Sequence, residues 1–211
     1  ATRLDMGDGS VFDDAISMYR YKEPGTYTVS ATVTSGEGIS RTLTAKVTAT
    51  KGYEPPEYKG YGNLAYLGII TCNVGQPKGS GSKDIEIIRD GKITRTNLGQ
   101  YDTFFYRGDP HEEYIGYVFS EAYSFDKVVF TEGMQFDNGG WFENGTLRIE
   151  ALIDGSWKKL DVVSEPEYPN GNKQSDFGAN FETYTFTFEP VKASGIRLIG
   201  SAGGSMHFIS V

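Results

Sequence analysis

The chain has one cysteine, Cys72, in 211 residues. No intrachain disulfide can form, and a cysteine-ligated zinc site is excluded. There are two histidines, His111 and His207, and neither has a partner at the spacing of a His-Glu-x-x-His metal helix. Lys and Arg number 20 against 28 Asp and Glu, a formal net charge of −8, and no basic stripe forms. Nucleic acid is therefore not expected as a partner, because binding a polyanion needs clustered cations. No apolar run approaches the roughly 20 residues that span a bilayer, so no membrane insertion is expected. The Gly-x-Ser-x-Gly elbow of a serine hydrolase is missing as well. Lack of disulfides suits an exported bacterial protein better than an animal one. With Ala1 first and no signal peptide, the chain reads as a piece of a longer polypeptide.

What the chain does have is turns and aromatics, with 27 Gly, 14 Tyr and 13 Phe. That composition predicts an all-β protein. Tyr27, Val29, Ala31 and Val33 alternate with Thr and Ser, and Leu43, Ala45, Val47 and Ala49 repeat the pattern. Period-two alternation predicts strands with one buried face, joined here by a hairpin at residues 35–38. Residues 51–62 show no periodicity and carry Pro55-Pro56, so they read as a stiff linker between a unit at 1–50 and a second at 63–211. The second unit offers strands near residues 64–72, 114–119, 125–131, 147–153, 157–162, 183–188, 195–199 and 207–211. About eight strands over that length predict a sandwich or jelly roll. Residues 84–88 are either a short helix or a turn.

Asp137-Asn138-Gly139-Gly140-Trp141-Phe142 draws attention first as a candidate site. The glycine pair permits a sharp turn, and two large aromatics follow beside an acid and an amide. Flat apolar faces next to short polar groups suit a sugar ring. The alternative, that Trp141 and Phe142 fold inward and seal one end of the barrel, stays open.

Met6-Gly7-Asp8-Gly9-Ser10, Tyr19-Arg20-Tyr21 and Glu23-Pro24-Gly25-Thr26-Tyr27-Thr28-Val29 resemble the polycystic-kidney-disease-type (PKD) immunoglobulin-like domain over residues 3–50. Arg3 and Met6 depart from that family's usual aromatics, and its first strands have no counterpart. The second unit resembles the discoidin, or coagulation-factor type C, superfamily, which includes the family 32 carbohydrate-binding modules. Asn63-Leu64-Ala65, Ile88-Arg89-Asp90-Gly91, Tyr114-Ile115-Gly116-Tyr117-Val118-Phe119, Asp154-Gly155-Ser156-Trp157, Gly195-Ile196-Arg197-Leu198-Ile199-Gly200 and His207-Phe208-Ile209-Ser210-Val211 carry it. The fold implied is all-β: a partial Ig-like β-sandwich followed by an eight-stranded antiparallel jelly-roll β-sandwich of the galactose-binding-domain-like type.

The resemblance implies ligand loops at one end of the sandwich. The expected ligand-binding residues are Trp141, Phe142, Asn138, Asp137 and Gln135 on one loop, and Phe105, Arg107, His111 and Glu112 on another. Asn73, Gln76, Lys78 and the Gly203-Gly204-Ser205 loop complete the rim. It also implies a structural Ca2+, with Asp90, Asp102 and Thr103 as candidate ligands and a late Glu that would fall beyond Val211. Arg107-Gly108-Asp109 is an integrin-type tripeptide too short to weigh, and Asn144-Gly145-Thr146 reads as a turn. No pair of carboxylates across a cleft is evident, so no enzyme is expected. The expectation is a noncatalytic carbohydrate-binding module with an Ig-like spacer, monomeric, from a secreted or cell-surface bacterial protein that degrades or holds glycans. Galactose-, N-acetylglucosamine- and sialic-acid-type sugars are the candidate ligands. The competing expectation is a spacer or protein-interaction module that binds no glycan.

Overall fold

The computed structural model describes residues 2–13, 19, 21–50, 62–75, 77–106, 108–169 and 181–211. The expected linker, apart from Gly62, lies outside these residues, as do Gln76 and Arg107. The fold is all-β, in two antiparallel sheets.

The first sheet holds β1 (Thr2–Asp5), β2 (Val11–Phe12), β3 (Gly25–Thr34) and β4 (Ser40–Ala49), in the order β2-β1-β3-β4. Alternation sets its faces. Tyr27, Val29 and Ala31 pair across with Val47, Ala45 and Leu43 on the apolar side. On the other side, hydroxyls pair across strands, Thr32 with Thr42 at 2.8 Å and Thr26 with Thr48 at 3.3 Å. Gly7 sits at φ +77°, where a Cβ would lie 2.5 Å from the Thr28 carbonyl oxygen. That close approach explains the glycine in Met6-Gly7-Asp8-Gly9.

The second sheet holds β5 (Ile69–Cys72), β6 (Glu112–Thr131), β7 (Arg148–Ile153), β8 (Ser156–Lys159), β9 (Val163–Glu165) and β10 (Thr183–Ser201). Its order is β5-β6-β10-β7-β8, with β9 on the far half of β10. Two expected strand pairs are each one long strand. Residues 114–119 and 125–131 join in β6, and 183–188 and 195–199 join in β10. Their register shifts between Thr187 and Val191 and again between Ala193 and Gly195. Such bulges bend a ladder, and here they curl one sheet into both layers of the sandwich. The 207–211 segment supplies isolated bridges, Ser210 to Asp102 and Ile209 to Gly140. Residues 84–88 fall in a 3₁₀ helix, Ile85–Arg89, capped by the Asp84 carboxylate, which accepts from the Glu86 N–H at 3.0 Å.

The core lies inside the curl, built from Ile70, Ile115, Phe130, Phe142, Ile149, Tyr184, Phe186 and Leu198. A second, smaller cluster joins the two sheets. Met6, Phe12, Leu4, Tyr21 and Val29 pack against Val118, Ile69, Leu152 and Trp157 on the outer face of the jelly roll. Those four lie in one row: Ile69 pairs with Val118, Val118 with Gly195, and Leu152 with Trp157. Gly195 leaves room for the indole of Trp157, whose nearest atom lies 3.0 Å from where a Cβ would be. No helix among the described residues is long and apolar enough to cross a membrane.

Candidate functional site

One end of the jelly roll holds a cavity of about 330 Å³, lined by Asn73, Val74, Gly75, Thr103, Phe105, His111, Glu113 and His207. Three connections and the start of β6 build it. Asn73 follows β5 and acts as a strut. Its Nδ2 donates to the Glu112 carbonyl at 3.0 Å, and its Oδ1 accepts from the Tyr114 N–H at 3.0 Å. Thr103 fixes the next wall: its Oγ1 accepts from the Ile209 N–H at 3.0 Å. The Phe104 carbonyl accepts from the Lys78 N–H at 2.7 Å, and the Phe104 ring meets Phe208 edge-on at 5.3 Å. That anchorage leaves Phe105 49% exposed at the rim, with the Lys78 ammonium 5.6 Å from its ring centre. Tyr106 beside it is more exposed still, at φ +53°. His207 is likewise at φ +45°. A left-handed backbone is costly for residues with a Cβ.

The deep wall is a histidine–glutamate pair. His111 Nδ1 lies 2.6 Å from the Asp109 carbonyl, which can only accept, so Nδ1 carries a hydrogen. Its Nε2 lies 2.6 Å from Glu113 Oε1, and both side chains are nearly buried. Paired this way, neither group is a lone buried charge. His207 stands across the cavity, 6.1 Å from His111 between ring centres. Its Nδ1 faces the Ala202 carbonyl at 3.1 Å, so in the neutral ring Nε2 is the acceptor.

Of the expected ligand residues, Phe105 and His111 line this cavity. Glu112 does not. Alternation puts Glu113, like His111 just before β6, on the cavity side and Glu112 on the other. There Glu112 takes Arg148 in a two-pronged pair at 2.5 and 3.1 Å. That hydrogen bond, outweighing burial, holds its carboxyl below the ordinary range. The Trp141 loop is corrected too. Phe142 has 0% exposure and sits in the core, so no ligand reaches its ring. Gln135 is buried, its Nε2 donating to Glu132 Oε1 at 2.8 Å. Trp141 is half-buried, with its indole against the Gly203 backbone, and Asn138 is half-buried. Asp137 alone of that loop's candidates is exposed, and none of the five lines the cavity. Arg107 lies outside the described residues.

The cavity lining also holds Glu113 and His207, which were not among the expected ligand residues. Period-two counting from His111 would have found the first. No local signal marks the second.

Each acidic calcium candidate has hydrogen-bond partners within the protein. Asp90 is exposed, and its Oδ1 accepts from the Lys92 N–H at 2.8 Å, a tight local turn. Asp102 is buried, and its Oδ1 accepts from Gln100 Nε2 at 2.6 Å and Ser210 Oγ at 2.7 Å. Burial pushes the Asp102 carboxyl above its ordinary range, offset in part by Ser210, Gln100 and the Gly81 N–H. No group of three or more His, Cys, Asp or Glu suited to a metal is found among the described residues.

The N-terminal sheet carries the family likeness. Residues 1–50 match the PKD domain family. No curated protein matches the chain. Among solved structures, its neighbours include a family 32 carbohydrate-binding module of Clostridium perfringens, CpGH89CBM32-5, solved with GalNAc-β-1,3-galactose. It is 17% identical, covers 67% of this chain and 88% of that one, and gives a TM-score of 0.44. The family 32 module of C. perfringens NanJ, solved with galactose, is 18% identical over 67% of this chain and 86% of its own, with TM-score 0.44. A Streptococcus pneumoniae β-galactosidase structure, BgaA, is 14% identical over 74% of this chain and 92% of its own, with TM-score 0.51. At such identity, the last of these shows the shared fold.

Proposed function

We propose that residues 63–211 are a noncatalytic carbohydrate-binding module. Its sugar occupies the cavity between Phe105, His111, Glu113 and His207, and the N-terminal sheet serves as its Ig-like brace. The observation that carries this reading is the half-exposed Phe105 ring, held by Thr103 and Phe104 at the mouth of a cavity with a His–Glu wall. The ring offers an apolar face to sugar C–H groups. His207 Nε2 accepts from a hydroxyl, and the Glu113 carboxylate lies deeper. The cavity is near the lower end of small-molecule sites, which suits a single sugar ring. Among the described residues its lining carries one carboxylate, whereas glycoside hydrolysis ordinarily uses two; this supports binding without turnover. The setting is a secreted or cell-surface bacterial protein with several modules, where weak single sites gain strength by multivalency.

A small single-ring site of this kind binds with Kd of about 0.1 to 1 mM. Titration calorimetry with galactose, N-acetylgalactosamine, N-acetylglucosamine and sialic acid tests it, with Phe105→Ala as control. Binding of at least one sugar that weakens in the variant is expected. A folded protein that binds none of the four, nor any glycan on an array, would leave the spacer reading. That reading has one observation in its favour, the apolar seat of the N-terminal sheet on Val118 and Trp157.

A further inference from the structure

The neighbourhood of Asp102 bears on the expected calcium. A Ca2+ site needs six to eight oxygens turned toward the ion. Around the Asp102 carboxylate the groups present hydrogens instead. Gln100 shows this without ambiguity of amide orientation. Its Oε1 accepts from the Met134 N–H at 2.6 Å, and a backbone amide can only donate. The Nε2 end is therefore the one 2.6 Å from Asp102 Oδ1. Ser210 Oγ donates to the same oxygen at 2.7 Å. On the other side, Gly81 closes over Oδ2 so tightly that a Cβ there would lie 2.5 Å from it. Lys83 ties down the same loop by donating to the Gly79 carbonyl. Thr103 Oγ1 accepts from the Ile209 N–H at 3.0 Å.

We propose that Asp102 is an internal anchor in which the Gln100 amide, the Ser210 hydroxyl and the Gly81 backbone stand where a structural cation would be held, so that this jelly roll is metal-independent. The anchor pins the last strand segment to the chain that leads into Phe105. Gln100, Asp102 and Ser210 are thus positioning residues for that loop, whatever the cavity binds.

Thermal unfolding of the full chain in Ca2+ and in EDTA tests this, with calorimetric titration of Ca2+ beside it. A calcium site as strong as those of extracellular modules would raise Tm by roughly 5 °C in about 10 mM Ca2+. The anchor predicts no shift and no binding heat for the wild type. Gln100→Glu replaces the donor with a second carboxylate beside Asp102. It should lower Tm in EDTA and regain part of the loss in Ca2+. A wild-type Tm that rises with Ca2+ overturns the proposal. So does a folded Gln100→Glu protein that ignores Ca2+, because the amide is then not what excludes the ion. If Gln100→Glu does not fold, the wild-type titration alone decides. Sugar binding is absent from every readout here, so failure of this proposal is separable from failure of the carbohydrate reading.

Discussion

The two sheets read alike in sequence and end differently. Tyr27, Val29, Ala31 and Val33 alternate as regularly as Tyr184, Phe186 and Phe188. Yet Tyr184 is 1% exposed and Val33 is 52% exposed. Alternation states which face of a strand is apolar, not whether a second layer covers it. In the jelly roll the curl of β6 and β10 provides that layer from the same sheet. In the N-terminal sheet the cover is borrowed. Leu4, Phe12 and Val29 rest on the outer face of the jelly roll, while β4 projects past it, leaving Leu43 76% exposed. Among the described residues, the buried side chains of the smaller sheet pack against the larger one.

That contrast can be broken by degrees. The largest effect belongs to the enclosed core. Phe142→Ala should cost about 3 to 5 kcal/mol in urea unfolding, whereas Leu43→Ala should cost less than about 0.5 kcal/mol. Comparable losses at both positions would refute the contrast. Next comes the seat between the sheets. Val118→Asp places a carboxylate among Met6, Phe12 and Ile69, at a cost of about 3 kcal/mol. Scanning calorimetry should then show the N-terminal sheet melting before the jelly roll. A single unchanged transition would mean that the contact does not hold the sheets together.

Acid should act on the jelly roll through Glu150. Burial raises its carboxyl, but hydrogen bonds from Arg148 at 2.7 Å and Arg197 at 2.7 and 2.9 Å win and hold it below its ordinary range. A depressed carboxyl stabilises the fold above its unfolded-state pKa. The stabilisation is lost as pH falls through the lower folded value. Glu150→Gln should remove about 1 to 2 kcal/mol at neutral pH and flatten the acid limb of the stability curve. A parallel acid limb in the variant would contradict this. The smallest effects concern the two aromatic loops. Phe105→Ala should weaken sugar binding about fivefold, as expected for about 1 kcal/mol of lost apolar contact, and Trp141→Ala less than about twofold.

Much of the fold was legible. The hairpin of β3 and β4, the strands at 147–153 and 183–188, and the all-β class follow from alternation and glycine placement. The fusion of strand pairs into β6 and β10 was not, because a bulge keeps the chain extended where the pattern breaks, as at Glu189-Pro190 between the register points Thr187 and Val191. Of the residues that line the cavity, Phe105 and His111 were legible as an aromatic and an imidazole on a polar loop. That Glu113 and not Glu112 lines the cavity follows from strand phase, which residue type alone does not give. Phe142 was misassigned for a related reason. After the turn at Gly139-Gly140 one aromatic lies half-buried against the Gly203 backbone and the next is in the core, and composition cannot tell which. His207 owes its place to a chain reversal that closes only in three dimensions.

The central claim is that sugar is held at the Phe105–His111–His207 end. Amide and imidazole chemical-shift mapping during titration with N-acetylgalactosamine or galactose tests it most directly. The account predicts saturable shifts at Asn73, Phe105, His111 and His207, with residues 136–141 nearly still. Shifts confined to the Trp141 loop, or none anywhere at saturating sugar, would contradict it.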